Sequence, residues 1–242
     1  MIAMPEKDTI LPLDVEAMSY GVGGRTLLSD INFQIPVGGI TMVLGANGAG
    51  KSLLLRLCHG LLTPQAGRIT WQEQSTDRPH RHAMVFQKPV MLRRSAHANI
   101  RHALLSGPFR READRRAAAA LERFGLTHLA DQPARLLSGG EQQRLALARA
   151  SALAPEVLFL DEPCSQLDPG ATHQIEQMIT ALRAEGVTIM MSTHDLGQAR
   201  RLGDRVLFLH RGRLIEDASA GHFFSAPATE PARAFLSGTL YW

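Results

Sequence analysis

Runs of consecutive, mostly apolar residues along the chain predict strands that are buried on both faces. The clearest runs are Ile40–Leu44, 157–160 and 187–192, and residues 83–86 form a shorter one. Runs without polar alternation are typical of a parallel sheet that is covered by helices on both sides. The pattern therefore predicts an α/β domain.

A second set of segments alternates apolar and polar residues, which is typical of antiparallel strands with one solvated face. Glycine-rich turns at 21–24 and 36–39 separate the first of these segments from each other and from the buried run that follows. Polar residues 72–82 predict a surface loop. The predicted half-exposed strands lie at 13–17, 31–35 and 68–71, with a late hairpin at 206–209 and 214–215.

Helical spacing of apolar positions begins after residue 88, is clearest from 113 to 124, and is interrupted at Ser106-Gly107-Pro108. A helix is predicted after Ser138, because Glu141 follows it at the capping-box spacing. Another helix is predicted at Pro169–Ala184. The resulting divisions are a tail (1–12), a core with a β subdomain (13–87 and 156–217), an inserted helical subdomain (88–155) and a C-terminal extension (218–242).

Composition limits the class of protein. With 242 residues, 45% of them hydrophobic, the chain is long and apolar enough for one or two folded domains. No run of about eighteen apolar residues predicts a membrane span. Residues 1–13 lack the basic start and apolar core of a secretory signal. Cys58 and Cys164 have no metal-ligand or disulfide spacing, so we expect two small buried residues in a reducing cytoplasm.

Positive charge is unevenly distributed, although the formal net charge is only +3. Residues 93–123 contain eight arginines and no lysine, against three acidic residues. Such a segment can face nucleic acid, anionic lipid headgroups or a protein partner, and a solvated helix face is the default alternative.

The stretch Gly45-Ala46-Asn47-Gly48-Ala49-Gly50-Lys51-Ser52 matches the pattern G-x-x-x-x-G-K-[S/T] at every fixed position. A buried strand precedes it and helix-forming apolar residues follow it. This order surrounds a polyphosphate with backbone N–H groups and with the positive end of a helix dipole. We expect Lys51 to reach the β- and γ-phosphates of a nucleotide such as ATP and the Ser52 hydroxyl to bind Mg²⁺. The alternative is a glycine-rich turn that binds nothing.

Asp161 and Glu162 directly follow the apolar run 157–160, at the strand end where open α/β sheets place their ligands. Asp161 is expected to orient a water molecule or Ser52 on Mg²⁺. Glu162 is placed to polarise an attacking water as a general base. An exposed acidic loop is the alternative, but the preceding residues are too apolar to be exposed.

Five signals in this order resemble the ATP-binding cassette ATPases, the motor subunits of ABC transporters, over about residues 13–216. Leu-Ser-Gly-Gly at a helix start is specific to that family, whereas a phosphate loop alone indicates only nucleotide binding. The resemblance implies a P-loop NTPase (RecA-like) core with an antiparallel β subdomain and an inserted α-helical subdomain. The signals are the phosphate loop, Gln87 after a strand, Leu137-Ser138-Gly139-Gly140-Glu141, the acidic strand end with Pro163 and Ser165-Gln166-Leu167-Asp168, and Ser192-Thr193-His194-Asp195.

The resemblance also implies catalytic roles. Gln87 would contact Mg²⁺ and the attacking water, and would report the γ-phosphate to the helical insertion. His194 would hydrogen-bond the γ-phosphate and Glu162, and a buried core histidine is the alternative interpretation.

Ser138, Gly139 and Gly140 would form a second anion-binding helix N-terminus. One chain already has a complete phosphate loop, so the second site implies two chains packed head to tail. Each signature would close over the ATP of the other chain, with Asp168 at the interface.

Three positions bear on nucleotide affinity. The family usually stacks adenine on an aromatic residue upstream of the phosphate loop, and Tyr20 is the nearby candidate. The best register nevertheless falls on Val22, which shares its strand face. Leu53 stands where a Ser or Thr commonly contacts the α-phosphate, so affinity is expected to be weaker, and Gln166 stands where a small residue is common.

As a single nucleotide domain, the chain is expected to be the ATPase subunit of a multi-chain importer at the cytoplasmic face of the inner membrane. Its partners would be permease subunits and, indirectly, a solute-binding protein. The groove near Gln87 and segment 88–95 would dock a cytoplasmic helix of the permease. Phrases at 58–62, 90–95 and 235–238 resemble tungstate-type oxyanion importers.

Two other members of the same superfamily remain alternatives. One is a soluble protein that acts on DNA or ribosomes, but the inserted coiled coils, zinc ligands or second cassette of such proteins are not visible. No nucleic-acid partner is therefore expected. The other is a lipid-handling or export ATPase with different membrane partners.

Overall fold

A computed structural model describes residues 9–72 and 81–239. Its strands and helices follow the order predicted for an α/β domain with two sheets. The strands are β1 (Leu13–Val22), β2 (Arg25–Ile35), β3 (Ile40–Leu44), β4 (Ala66–Trp71), β5 (His82–Val85), β6 (Val157–Asp161), β7 (Thr188–Ser192), β8 (Arg205–His210) and β9 (Arg213–Ser219). The helices are α1 (Lys51–His59), α2 (Ala96–Leu104), α3 (Ala113–Arg123), α4 (Gly139–Ser151), α5 (Pro169–Ala184), α6 (Leu196–Leu202), α7 (Ala220–Ser225) and α8 (Glu230–Leu236).

The main sheet has six strands in the order β5-β6-β7-β3-β8-β9. Its first five strands are parallel, and β9 pairs antiparallel with β8. Every residue of β3, β6 and β7 is buried, as predicted from their apolar sequences. The late hairpin and the helix at Pro169–Ala184 are confirmed as well.

The smaller sheet is antiparallel, in the order β2-β1-β4. Its strands show the alternating burial expected of a sheet with one solvated face, as in the last residues of β2. The strands are longer than predicted, because β1 continues to Val22 and leaves only Gly23 and Gly24 for the turn. The predicted loop at 72–82 lies mostly outside the described residues.

The prediction of a free tail over residues 1–12 is wrong for its described end. Ile10 and Leu11 are 6% and 1% exposed and belong to the core beneath the smaller sheet. Gln72 donates its backbone N–H to the carbonyl of Ile10 over 3.0 Å. Two consecutive apolar residues without periodicity gave no strand signal, and their burial comes from this long-range pairing.

Helices α2, α3 and α4 all fall within the predicted insertion at 88–155, and each of them contacts the other two. Helix α4 also contacts β5 and α5, so it joins the insertion to the main sheet. None of the helices in the described part of the chain is long and apolar enough to cross a membrane.

The residues after 217 continue the core. Strand β9 crosses the predicted boundary and ends at Ser219. The ring of Phe235 on α8 lies 5.1 Å from that of Phe208 on β8. The buried carboxylate of Glu216 accepts the backbone N–H of Thr229 over 2.6 Å at the start of α8. The extension is thus fixed to the sheet by an aromatic contact and by a buried acceptor.

Candidate active site

Parallel strands bring the predicted site residues together. In the sheet, Val43 of β3 and Asp161 of β6 both lie opposite Ser192 of β7. The carboxyl ends of these three strands therefore meet at one edge, although β3 lies more than a hundred residues before β6 and β7 in the chain. Ligands of open α/β sheets bind at this edge.

The phosphate loop requires glycine at two close approaches. Gly45 has φ 147°, and a Cβ there would lie 2.2 Å from the carbonyl oxygen of Leu209. Gly50 has φ 105°, and its Cβ would lie 2.5 Å from Cδ2 of Leu28. Strands β8 and β2 thus press on the loop from two sides, which fixes its path around the space where a phosphate would sit.

Lys51 is the first residue of α1 and is only 6% exposed. Its Nζ donates to the carbonyls of Gly45 (2.9 Å) and Ala46 (3.2 Å) and lies 3.9 Å from Oε1 of Glu162. Burial lowers the pKa of Lys51, while the charges of Glu162 and Asp161 oppose that shift. A buried ammonium group inside a glycine loop is well suited to a polyphosphate, because its charge adds to that of the loop N–H groups.

The Ser52 hydroxyl and the Asp161 carboxylate lie together below the loop. Ser52 donates to Oδ1 of Asp161 over 2.7 Å, and Asp161 is 2% exposed. A hydroxyl oxygen and a carboxylate oxygen are hard ligands of the kind that Mg²⁺ prefers. The donor set therefore fits the predicted metal.

Glu162 is the centre of a polar cluster at this edge of the sheet. Its Oε2 lies 3.1 Å from Nδ1 of His194 and accepts a hydrogen bond from Nε2 of Gln87 over 3.2 Å. The side chain of His194 is 61% exposed, so the alternative of a buried core histidine is wrong. The structure places Gln87, Lys51 and His194 around one carboxylate. The resemblance implied the contact of His194 with Glu162, whereas the contacts of Gln87 and Lys51 with it were not predicted.

The signature residues lie at the start of α4. Ser138 is the N-cap: its hydroxyl and backbone N–H both donate to Oε2 of Glu141, over 2.7 and 2.8 Å. The same two hydrogen bonds lower the pKa of Glu141. Gly139 and Gly140 form the first turn of the helix. The capping box predicted from the sequence is confirmed, and it holds this helix end in an open, solvent-accessible position.

Asp168 caps α5 by accepting the N–H of Ala171 over 2.9 Å. Gln166, two residues earlier, has a left-handed backbone with φ 68°, which favours glycine over a glutamine side chain. The departure from a small residue noted in the sequence therefore falls on a strained turn.

Tyr20 lies opposite Leu28 in the smaller sheet and is partly buried against its core. Val22, on the same strand, is 60% exposed. Leu28 lies on β2 and contacts the phosphate loop at Gly50. Tyr20 and Val22 lie on β1, the strand that pairs with β2. Leu53 is partly buried against the same core. Stacking of Tyr20 on adenine stays a prediction.

Two features of this region were missed in the sequence. A cleft of about 590 Å³ lies between the phosphate loop and α8, and Pro231 and Phe235 line it together with Ala46 and His194. The Ser192 hydroxyl donates to the carboxylate of Asp161, a contact that the signal Ser192-Thr193-His194-Asp195 did not predict. Neither contact carries a local signal, because both arise from packing between distant segments.

Much of the charge in the basic segment is used inside the chain. Arg101 pairs with Asp114 over 2.8 Å, and Arg123 pairs with Glu185 over 2.6 Å. The guanidinium of Arg116 stacks on Phe109 at 3.5 Å from the ring centre. These contacts favour the interpretation of a solvated helix face over that of a nucleic-acid surface.

Fold and site together define a nucleotide-binding P-loop domain. Comparison with protein families matches residues 28–165 to the ABC transporter family. The glutamate transport ATP-binding protein GluA of Corynebacterium efficiens is 37% identical over 227 residues, covering 88% of this chain and 93% of that protein. The phosphate import ATP-binding protein PstB 2 of Natronomonas pharaonis is 35% identical, covering 95% of this chain and 88% of that protein.

A solved structure agrees with both. The structure of cbiO1 from Clostridium perfringens, described as part of the ABC transporter complex cbiONQ, has a TM-score of 0.78 and 32% identity. The match covers 88% of this chain and 90% of cbiO1. The chain belongs to the ABC transporter family as an ATP-binding subunit, and it is an ATPase.

Proposed function

We propose that Glu162 is the general base of ATP hydrolysis in this chain. The observation that carries the proposal is the contact of one carboxylate with His194, Gln87 and Lys51 at the sheet edge. Glu162 would accept the proton of the attacking water, and His194 would hold the carboxylate and the γ-phosphate in line. The direct test is Glu162→Gln, which should keep ATP binding and lose most ATP turnover.

Ser52 and Asp161, with Gln87 nearby, would hold Mg²⁺. When bound, that ion neutralises charge on the β- and γ-phosphates. Lys51 and the N–H groups of the loop would bind the same phosphates, and Leu53 would leave the α-phosphate without the usual hydroxyl contact. These assignments follow from the donors present and from the burial of Lys51 and Asp161.

We further propose that two chains enclose ATP head to tail. Ser138, Gly139 and Gly140 form an exposed helix N-terminus, in which the Glu141 carboxylate occupies only the hydroxyl and N–H of Ser138. The N–H groups of the two glycines would be the donors to a phosphate. The phosphate loop already serves the ATP of its own chain. A second copy, with Asp168 at the contact, is the partner that gives the signature a phosphate to bind.

Light scattering tests the dimer. The Glu162→Gln variant with ATP and Mg²⁺ should show a mass near twice 26.5 kDa, and without nucleotide a mass of one chain. The matched control adds Gly139→Arg. A Cβ at Gly139 would meet only Cδ2 of Leu167, at 4.0 Å, so the larger side chain fits the single chain and should block only dimer formation. A single-chain mass for Glu162→Gln that has bound ATP would contradict the proposal.

The membrane partner is proposed to dock where the insertion meets the main sheet. A cavity of about 260 Å³ opens there between α1, α2, α4 and β5, lined by His59, Ala103 and Arg149 among others. Arg149 donates to the carbonyl of Val90 over 3.0 Å, so segment 88–95 is tied to this seam. Val90 is 68% exposed and Leu61, just after α1, is 50% exposed. Exposed apolar residues beside a groove favour an amphipathic helix as partner.

Membrane pull-down with matched valines tests this surface. Val90→Asp should lose the permease subunits that the unchanged chain captures. Val37→Asp should keep them, because Val37 is equally exposed, at 63%, but lies at the amino end of β3. Equal capture by both variants would place the docking surface elsewhere.

We propose that the chain drives import of an oxyanion such as tungstate or molybdate. It would work at the cytoplasmic face of the inner membrane, with a solute-binding protein as its indirect partner. Two observations support this substrate class. Segments 58–62, 90–95 and 235–238 resemble tungstate-type oxyanion importers. One relative is named a phosphate import ATP-binding protein. Reconstitution with the captured permease and solute-binding protein tests it. Tungstate should stimulate ATP hydrolysis, whereas stimulation by glutamate or cobalt alone would refute it.

A further inference from the structure

Ser192 links the two acidic residues of the site. It is the last residue of β7 and is completely buried. Its hydroxyl donates to Oδ1 of Asp161 over 2.8 Å and accepts the backbone N–H of Glu162 over 3.0 Å. One hydroxyl therefore contacts the side chain of the proposed metal ligand and the main chain of the proposed base.

The main chain at Glu162 needs such support. Its φ is 45°, in the left-handed region that residues with a Cβ rarely adopt. Its N–H points at two acceptors on the same residue, the Ser192 hydroxyl and, at 3.1 Å, the Ser192 carbonyl. Strand β7 thus determines the direction in which the chain leaves β6, and with it the direction of the Glu162 side chain.

Asp161 is held in the same way. Its Oδ1 accepts two hydroxyl hydrogen bonds, from Ser192 on one side and from Ser52 on the other. With both donors in place, the second carboxylate oxygen keeps a single orientation. Loss of the Ser192 donor would free the carboxylate to rotate about its Cβ–Cγ bond.

We propose that Ser192 is a positioning residue for ATP hydrolysis, which aligns Glu162 without touching the reacting atoms. The inference rests on the proposed role of Glu162 as the base. His194, two residues further along, contacts the carboxylate of Glu162 at 3.1 Å. The end of β7 therefore holds the base at two points, its backbone through Ser192 and its carboxylate through His194.

A matched pair of substitutions separates this role from mere packing. Ser192→Thr and Ser192→Val add nearly the same volume to the same buried position, so any cost of overpacking is shared. Only Thr keeps the hydroxyl. The Val variant should have kcat about tenfold lower than the Thr variant, because one hydrogen bond in a charged cluster is lost. The Kd for ATP measured without Mg²⁺ should be equal, since the phosphate-loop residues are unchanged.

A double variant tests whether the effect of the Ser192 hydroxyl on kcat depends on Glu162. Residual hydrolysis of radiolabelled ATP is followed in a single turnover in chains that also carry Glu162→Gln. If Ser192 acts by aligning Glu162, the Thr-to-Val ratio should fall from about ten to about two or less, because the two effects are then not additive. A ratio of ten in both backgrounds would overturn the proposal.

Equal kcat for the Thr and Val variants would also overturn it, provided that Glu162→Gln itself has lost turnover. If Glu162→Gln keeps normal turnover, the assignment of the base fails instead, and the two failures are distinguishable. Ser192→Ala, compared with the unchanged chain, serves as the test if the larger side chains prevent folding. Its kcat should fall by a similar factor, and the Kd for ATP measured without Mg²⁺ should not change.

Discussion

Replacing Glu162 by glutamine changes one atom at the centre of the proposed site. The side chain keeps its size, and the backbone at φ 45° keeps its support from Ser192. The change removes the negative charge that faces Lys51 at 3.9 Å and the basic carboxylate that would accept the proton of the attacking water. Binding of ATP should persist, because the loop, Lys51 and Ser52 are untouched.

The expected loss of turnover follows from the role of a general base. A positioned base contributes about 10²–10⁴-fold, which corresponds to about 3–5 kcal/mol of activation free energy. Phosphate release at saturating ATP should therefore fall by at least about a hundredfold. The Kd for ATP should stay within about threefold, or become slightly tighter, because Lys51 loses its anionic neighbour and gains the phosphates.

The assay needs a control for charge alone. Glu185→Gln removes an exposed carboxylate that pairs with Arg123, far from the sheet edge, and should leave kcat unchanged. Phosphate release and ATP binding are then measured for both variants and the unchanged chain. Turnover of Glu162→Gln above about a tenth of normal would refute the assignment of Glu162 as the base.

Three further predictions concern the metal, the pH dependence of stability and the helix cap. Ser52→Ala should raise the Mg²⁺ concentration needed for half-maximal ATP hydrolysis by about tenfold, measured by Mg²⁺ titration, because one proposed ligand is lost; an unchanged requirement would contradict that role. Burial and the nearby charge of His82 lower the pKa of His59 to about 4, so the unfolded chain, with an ordinary value near 6.5, binds this proton first as the pH falls. The stability that neutral His59 contributes is complete above about pH 6.5 and is lost towards pH 4, by about 1–2 kcal/mol after allowance for partial exposure. In denaturant unfolding between pH 7.5 and 5, His59→Phe should lose less free energy of unfolding than the unchanged chain. An equal loss in both would refute this prediction. Glu141→Ala should lower the free energy of unfolding by about 1 kcal/mol through loss of the capping box, and an unchanged denaturation midpoint would contradict this.

Several features could be predicted because they depend on local patterns. The phosphate loop and the three buried strands follow from fixed spacing and from unbroken apolar runs. The capping box depends only on Ser138 and Glu141, three positions apart in the chain, and the structure contains it. The meeting of Lys51, Glu162 and His194 also follows, since parallel strands place their carboxyl ends at one edge.

Other features could not be predicted, because distant segments create them. Nothing near Ile10 indicates that it joins the core of the smaller sheet. The contact of Phe235 with Phe208 packs α8 against β8, and a short helix with a proline in its first turn gives no sign of its neighbour. The role of Ser192 depends on the register between β6 and β7, which pairs it with Asp161 and which no single segment determines.

The central claim, that the signature of one chain closes over the nucleotide of another, is tested most directly by cross-linking. Two differently tagged chains carry Glu162→Gln and Cys164→Ser, one with Asn47→Cys in the phosphate loop and the other with Gly139→Cys in the signature. Cys58 is 1% exposed and stays out of the reaction. A head-to-tail dimer that encloses ATP should give a disulfide-linked pair of the two tags only when ATP and Mg²⁺ are present. A yield that is the same without nucleotide, or no linked pair from chains that have bound ATP, would contradict it.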